Sequence, residues 1–108
     1  MSQSKILLNK VYVADSFFPK FAGLIFRKRL KTDEGLLICS CNSVHTFWMR
    51  YPIDAIFLDD KFKVVYMIEN IKPFSVTPFI KDSKYVLELL SLTAKKLGIV
   101  SGNYLGFY

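Results

Sequence analysis

The chain is poor in the residues that most often carry chemistry: it has one histidine, one tryptophan and two cysteines among 108 residues. Cys39 and Cys41 would share one face of a strand, with Cα atoms about 6.6 Å apart. A disulfide between them would distort an extended backbone, so both are expected to be reduced. With His45 they offer three metal ligands where a closed zinc site wants four, and C-x-C-x-x-x-H is not a zinc-finger spacing. No metal and no cofactor are therefore expected. No apolar run approaches the roughly 18 residues of a membrane span. The opening MSQSKILLNKVYVADS has too short an apolar run for a secretion signal, so a cytoplasmic location is expected. There is no internal repeat, low-complexity segment or long linker, and residues 1–108 read as one domain.

What the chain does contain is apolar. Hydrophobic residues make up 52% of it, including ten Phe and six Tyr, which argues for an aromatic-rich core and against disorder. Fifteen Lys and Arg against nine Asp and Glu leave a formal charge of +6. The dense basic spot is Arg27-Lys28-Arg29-Leu30-Lys31. It reads as a solvated helix end favoured by the helix dipole. The functional alternative is an anion site for nucleic acid, phosphate or an acidic lipid surface.

Strand signals dominate: residues 5–13, 35–39, 44–50, 54–58, 62–69, 85–90 and the closing YLGFY. One main helix is predicted over roughly residues 16 to 28, capped by Asp15 or Ser16 with Pro19 in its first turn. A second, short helical turn, AKKL, follows a Ser91 or Thr93 cap and ends at Gly98. Residues 72–83, with two prolines, form the longest loop. The fold class is mostly β (α+β): a small curled antiparallel sheet or partly closed β-barrel, with one main packed helix and a short second one.

The stretch Cys41–Asp60, CNSVHTFWMRYPIDAIFLDD, sets polar and ionisable groups among core-forming residues. Such groups are costly unless paired, so they mark either a structural network or a binding site. On a strand, His45, Phe47 and Met49 would share one face, and Val44, Thr46, Trp48 and Arg50 the other. Arg50 would pair with Asp54 across Tyr51-Pro52 and pin that corner; alternatively it binds a carboxylate or phosphate of a ligand. His45 could be a general acid or base, or a buried imidazole bonded to a carbonyl. Cys41 with His45 would form a nucleophile pair only with a thiolate in an electropositive pocket. Asp54 and Glu88 would suit hydrolysis if both lined one cleft. Phe47, Trp48 and Tyr51 could stack on a sugar or base, though core packing is the commoner use.

GLIFRKRL at 23–30, GLLIC at 35–39, HTFWMRYPIDAIFLD at 45–59, KVV at 63–65, KP at 72–73, VLEL at 86–89 and AKKLGI at 94–99 occur in that order. Together they resemble domain-of-unknown-function family 192, in the branch with an HT-x-x-MR-x-PID core, over about residues 20–105. The resemblance implies a small, mostly β domain with a partly closed antiparallel barrel and an accompanying helix. It implies a fold and no mechanism. Two departures stand out: Leu90-Ser91-Leu92 occupies a place where relatives carry a glycine, and Gly102-Asn103 replaces a Gly-Asp turn.

These residues point first to a binding or accessory module. Its ligand-binding set would be Arg50, Asp54, His45, Thr46 and Arg27, recognising a small polar or anionic ligand or a partner peptide. The rival readings are a hydrolase using His45 with Cys41 or Asp54, and a nucleic-acid-binding module.

Overall fold

The computed structural model describes residues 3–6, 8–15, 30–46 and 49–107. The helix expected over 16 to 28, the basic spot from Arg27 to Arg29, and Phe47 and Trp48 lie outside these residues. The elements are β1 (Gln3–Ile6), β2 (Lys10–Asp15), β3 (Glu34–Cys39), β4 (Ile53–Leu58), β5 (Val64–Ile71), β6 (Tyr85–Leu90), α1 (Thr93–Lys96) and β7 (Tyr104–Phe107).

The chain is mostly β, but its sheet is mixed and not closed, in contrast to the antiparallel, partly closed barrel the sequence suggests. Five strands run in the order β2-β3-β6-β4-β5, and β1 pairs with β7 in a separate two-stranded sheet. The β2–β3 and β1–β7 pairs are parallel; the rest are antiparallel. A parallel pair needs a long crossover rather than a hairpin, and β2 ends at Asp15 where β3 begins at Glu34. The single strand expected over 5–13 is in fact two strands in different sheets. The β1–β7 pair is tied to the start of β5, where Val64 N–H donates to the Asn103 carbonyl at 2.8 Å and Leu105 N–H to that of Phe62 at 2.9 Å.

The core lies on both faces of the large sheet. β4 is buried along its whole length. Its period-2 alternation sends Ile56 and Leu58 to one face, with Val64, Leu87, Leu89 and Ala94, and Ile53, Ala55 and Phe57 to the other, with Cys41, Val44, Met49, Tyr51 and Val86. This two-sided burial is why IDAIFL reads as near-continuous apolar sequence rather than clean alternation. Gly35 on β3 serves close packing. A Cβ there would come within 3.1 Å of Leu89 Cδ2 and 3.2 Å of Leu87 Cδ1 and Leu8 Cδ1.

The β4–β5 turn is built by Asp59. Its Oδ1 accepts the N–H groups of Lys61 and Lys63, both at 2.9 Å, while Phe62 takes a left-handed φ of 63°.

Candidate functional site

Of the strand expected over 44–50, the described residues 44–46, 49 and 50 carry a single bridge, at His45. Residues 42–46 lie antiparallel to residues 72–80, in a ribbon whose rungs are partly threonine hydroxyls. Val44 N–H donates to Thr77 Oγ1 at 2.9 Å, and Thr77 N–H to the Val44 carbonyl at 2.9 Å. Thr46 N–H donates to the Ser75 carbonyl at 2.8 Å, and Ser75 N–H returns to Thr46 Oγ1 at 2.9 Å. The Thr46 hydroxyl in turn donates to the Lys72 carbonyl at 2.7 Å. Side-chain oxygens replacing main-chain acceptors turn a regular ladder into irregular chain. Beyond Thr46 the chain turns, with Met49 N–H donating to the Thr46 carbonyl at 3.1 Å.

That turn undoes the strand facing expected from alternation. His45 and Met49 do not share a face: His45 is exposed, paired with Val76 across the ribbon, and Met49 is buried. Thr46 and Arg50 do not either: Thr46 is 1% exposed and Arg50 stands in solvent.

Asp54 is fully buried, and its partners are main-chain amides. Oδ1 accepts Asn70 N–H at 2.8 Å, and Oδ2 accepts Ala94 N–H at 3.0 Å. Both bonds have a local cause. The β4–β5 register slips between Ile53 and Ala55, and Asn70, at φ 55°, sits in that bulge with its amide turned out of the ladder. The N-cap residue of α1 is Leu92, left-handed and without a capping side chain. Asp54 supplies the missing acceptor from a strand 40 residues away. The expected Ser91 or Thr93 cap is thus replaced, and the Ser91 hydroxyl donates to Asn70 Oδ1 at 2.6 Å. The expected Arg50–Asp54 pair is replaced too: Arg50 is exposed, and both Asp54 oxygens are engaged elsewhere.

Glu88 sits on the other face. Register places Asp54 opposite Leu89, and Glu88 between Leu36 and Ala55. Adjacent positions point to opposite sides of a sheet, so Asp54 and Glu88 line no common cleft. Glu88 is 6% exposed. Burial pushes its carboxyl up to about 7, with no offsetting donor among the described residues. The same face carries Glu34, whose Oε1 accepts Lys31 N–H at 3.0 Å, and Tyr51, whose hydroxyl accepts Leu30 N–H at 3.2 Å.

Cys41 is buried and Cys39 half-buried; neither forms a disulfide. The Cys41 thiol donates to the Ser43 carbonyl at 3.1 Å, and Ser83 Oγ donates to the Cys41 carbonyl at 2.9 Å. Burial pushes that thiol up to about 11, the main-chain contact at Ser43 offsets part of the shift, and Glu88 adds to it. Such a sulfur is a protonated packing group at neutral pH, not a nucleophile. Among the described residues no group of three His, Cys, Asp or Glu side chains comes together as a metal-binding set.

Residues 2–107 match the profile of the family described as uncharacterised ACR, DUF192. The chain belongs to the DUF192 family. It is 33% identical over 82 residues to a UPF0127 protein of Pyrococcus horikoshii, covering 73% of this chain and 70% of that one. It is 29% identical over 91 residues to a UPF0127 protein of Thermococcus sibiricus, covering 81% of this chain and only 58% of the relative. Two crystal structures are similar. One is a Sinorhizobium meliloti protein named as a proposed transcription regulator, with TM-score 0.73, 25% identity, and 85% and 76% of the two chains covered. The other is a Novosphingobium aromaticivorans protein of unknown function, with TM-score 0.73, 24% identity and 85% and 70% coverage.

Within this DUF192 chain, then, the expected site residues divide. His45 and Arg50 face solvent, Thr46 and Asp54 are buried structural hubs, and Arg27 lies outside the described residues. Sequence reasoning missed Thr77 and Ser83, which complete the ribbon, and the outward apolar side chains of the 72–80 segment. The signal for the latter was present: KPFSVTPFI is too apolar for an ordinary surface loop.

Proposed function

We propose that this chain is a binding or accessory module that recognises a small polar or anionic ligand, or a partner peptide, through the surface carrying His45 and Arg50. The observation that carries this reading is the pinning of Thr46 beside His45. Its buried hydroxyl holds the ribbon, so the neighbouring imidazole is presented from a rigid base, and Arg50 is exposed four residues on. Pre-organised polar groups bind at a lower entropic cost than mobile ones. Asp54 contributes by locking the adjoining corner, and Arg27 belongs to the same proposal as a second guanidinium.

The hydrolase reading has less behind it. The Cys41 thiol is raised to about 11, and both Asp54 oxygens are held by main-chain amides. The nucleic-acid reading has a relative's name and the net charge of +6. Along the described chain, however, Lys31, Lys61, Lys63 and Lys81 have Asp33, Asp59, Asp60 and Asp82 close by in sequence, which dilutes a single basic face.

The test is a thermal-shift titration with inorganic phosphate, a nucleotide and a sugar, on wild type and Arg50→Ala. The expected result is selective stabilisation of wild type by an anion, with affinity lowered about tenfold or more in Arg50→Ala at unchanged unliganded Tm. If none of the three stabilises wild type selectively, the ligand reading fails.

A further inference from the structure

Of the seven large apolar side chains exposed among the described residues, three fall within residues 74–79: Phe74 at 78%, Val76 at 65% and Phe79 at 68%. Scattered exposed apolar groups need no explanation, but a cluster on one segment does. The segment is also not slack. Phe74 N–H donates to the Thr46 carbonyl at 3.0 Å, Thr77 N–H to that of Val44 at 2.9 Å, and Ile80 N–H to that of Asn42 at 2.8 Å. The backbone at Phe74 has a φ of 63°. A bulky residue in the left-handed region is strained, and here the exposed ring recovers none of that by burial.

The charges around these side chains have one dominant sign. Residues 72–84 carry Lys72, Lys81 and Lys84 against Asp82, and all four are exposed. The whole chain is +6.

We infer that the ribbon segment Lys72–Lys84 is a docking surface for an anionic lipid bilayer, with Phe74, Val76 and Phe79 entering the headgroup boundary and the lysines meeting lipid phosphates. The match is chemical. A bilayer deforms around exposed aromatic and aliphatic side chains and so needs no pre-formed pocket for them. Flanking lysines are attracted to an anionic surface. Apolar insertion and electrostatic attraction together set the strength of such peripheral binding. The ribbon's hydrogen bonds mean that little chain entropy is lost on docking. The inference goes beyond the ligand reading and uses other side chains, so neither experiment decides the other.

The test is vesicle co-sedimentation of the full chain, with phosphatidylcholine alone and with phosphatidylcholine mixed with phosphatidylglycerol. Wild type is expected to sediment with the mixed vesicles at low salt, to dissociate as salt rises, and to leave the neutral vesicles largely unbound. Phe74→Ser combined with Phe79→Ser should weaken binding about tenfold or more while the Tm stays unchanged, because both rings are in solvent. Lys72→Glu with Lys81→Glu should weaken it and flatten the salt dependence. The inference is overturned by no wild-type sedimentation with the mixed vesicles, by equal sedimentation with both lipids, or by a serine double variant that binds like wild type. A chain that ignores both vesicle types but binds soluble poly-glutamate through Phe74 and Phe79 would reassign the surface to an acidic protein and equally overturn it.

Discussion

Asp54 and Glu88 lie on neighbouring strands, one step apart in register, and face opposite sides of the same sheet. Both are withdrawn from water, at 0% and 6% exposure. Their surroundings nonetheless give them opposite characters. Asp54 meets two main-chain amides, one freed by a strand bulge and one at an uncapped helix start. Glu88 lies between Leu36 and Ala55 in register, and burial pushes it up to about 7. Burial therefore does not by itself decide what a carboxyl does in a core; the donors that happen to face it do. Asp54 is a joint of the scaffold, and Glu88 is a carboxyl that burial raises.

The comparison breaks most directly at Asp54. Asp54→Ala leaves the buried Ala94 amide and the part-buried Asn70 amide without their acceptor, and a buried orphaned donor costs about 1–3 kcal/mol. A loss of roughly 3–5 kcal/mol in denaturant unfolding is expected, with Asp54→Asn intermediate because one acceptor survives. A loss under about 1 kcal/mol in Asp54→Ala would show that α1 and the bulge do not depend on this side chain.

Glu88 sharpens the same contrast through pH. Its folded value, about 7, lies above its ordinary value of 4.5. The folded state thus holds the proton more tightly than the unfolded one. The stability linked to it is fully present below pH ~4.5 and is lost as pH rises through ~7, about 3 kcal/mol in all. Urea midpoints measured from pH 5 to pH 8 should fall in wild type and stay flatter in Glu88→Gln, with the variant relatively more stable at pH 8. Parallel curves for the two proteins would mean that Glu88 has donors in its ionised state.

The smallest expected effect tests the ribbon against the sheet. Thr46→Val deletes the hydroxyl that serves Lys72 and Ser75 and keeps the shape. It should cost about 2 kcal/mol, and hydrogen exchange should quicken at Phe74, Ser75 and Thr77 while β4 and β6 stay protected. Uniform acceleration across the chain would mean that the ribbon and the sheet open as one unit.

Strands β3, β4, β5 and β6 were legible within a residue or two because each is a compact β-branched or aromatic run bounded by turn residues. The Asp59-Asp60-Lys61 turn was legible for the same kind of reason, since an Asp side chain can satisfy the amides of its own turn. Residues 44–46 depart from a regular strand because a β-rich pattern cannot announce that threonines will bond main chain across a gap. Asp54 was picked out as consequential, but its two partners, Asn70 and Ala94, follow from a bulge and a bare helix start that leave no trace in local sequence. The parallel β2–β3 pair escaped because local pattern carries no strand direction.

By itself the amino-acid order determined family, β-rich class and which side chains are apolar enough to be buried. It also confined the ionisable core groups to a handful, since a polar residue inside an apolar run is conspicuous wherever the chain goes. Tertiary structure alone decided the mixed open sheet, the separation of Asp54 from Glu88 onto opposite faces, and the outward display of Phe74, Val76 and Phe79. These depend on register, strand order and the partners of single donors, and such long-range geometry is fixed only when distant segments meet.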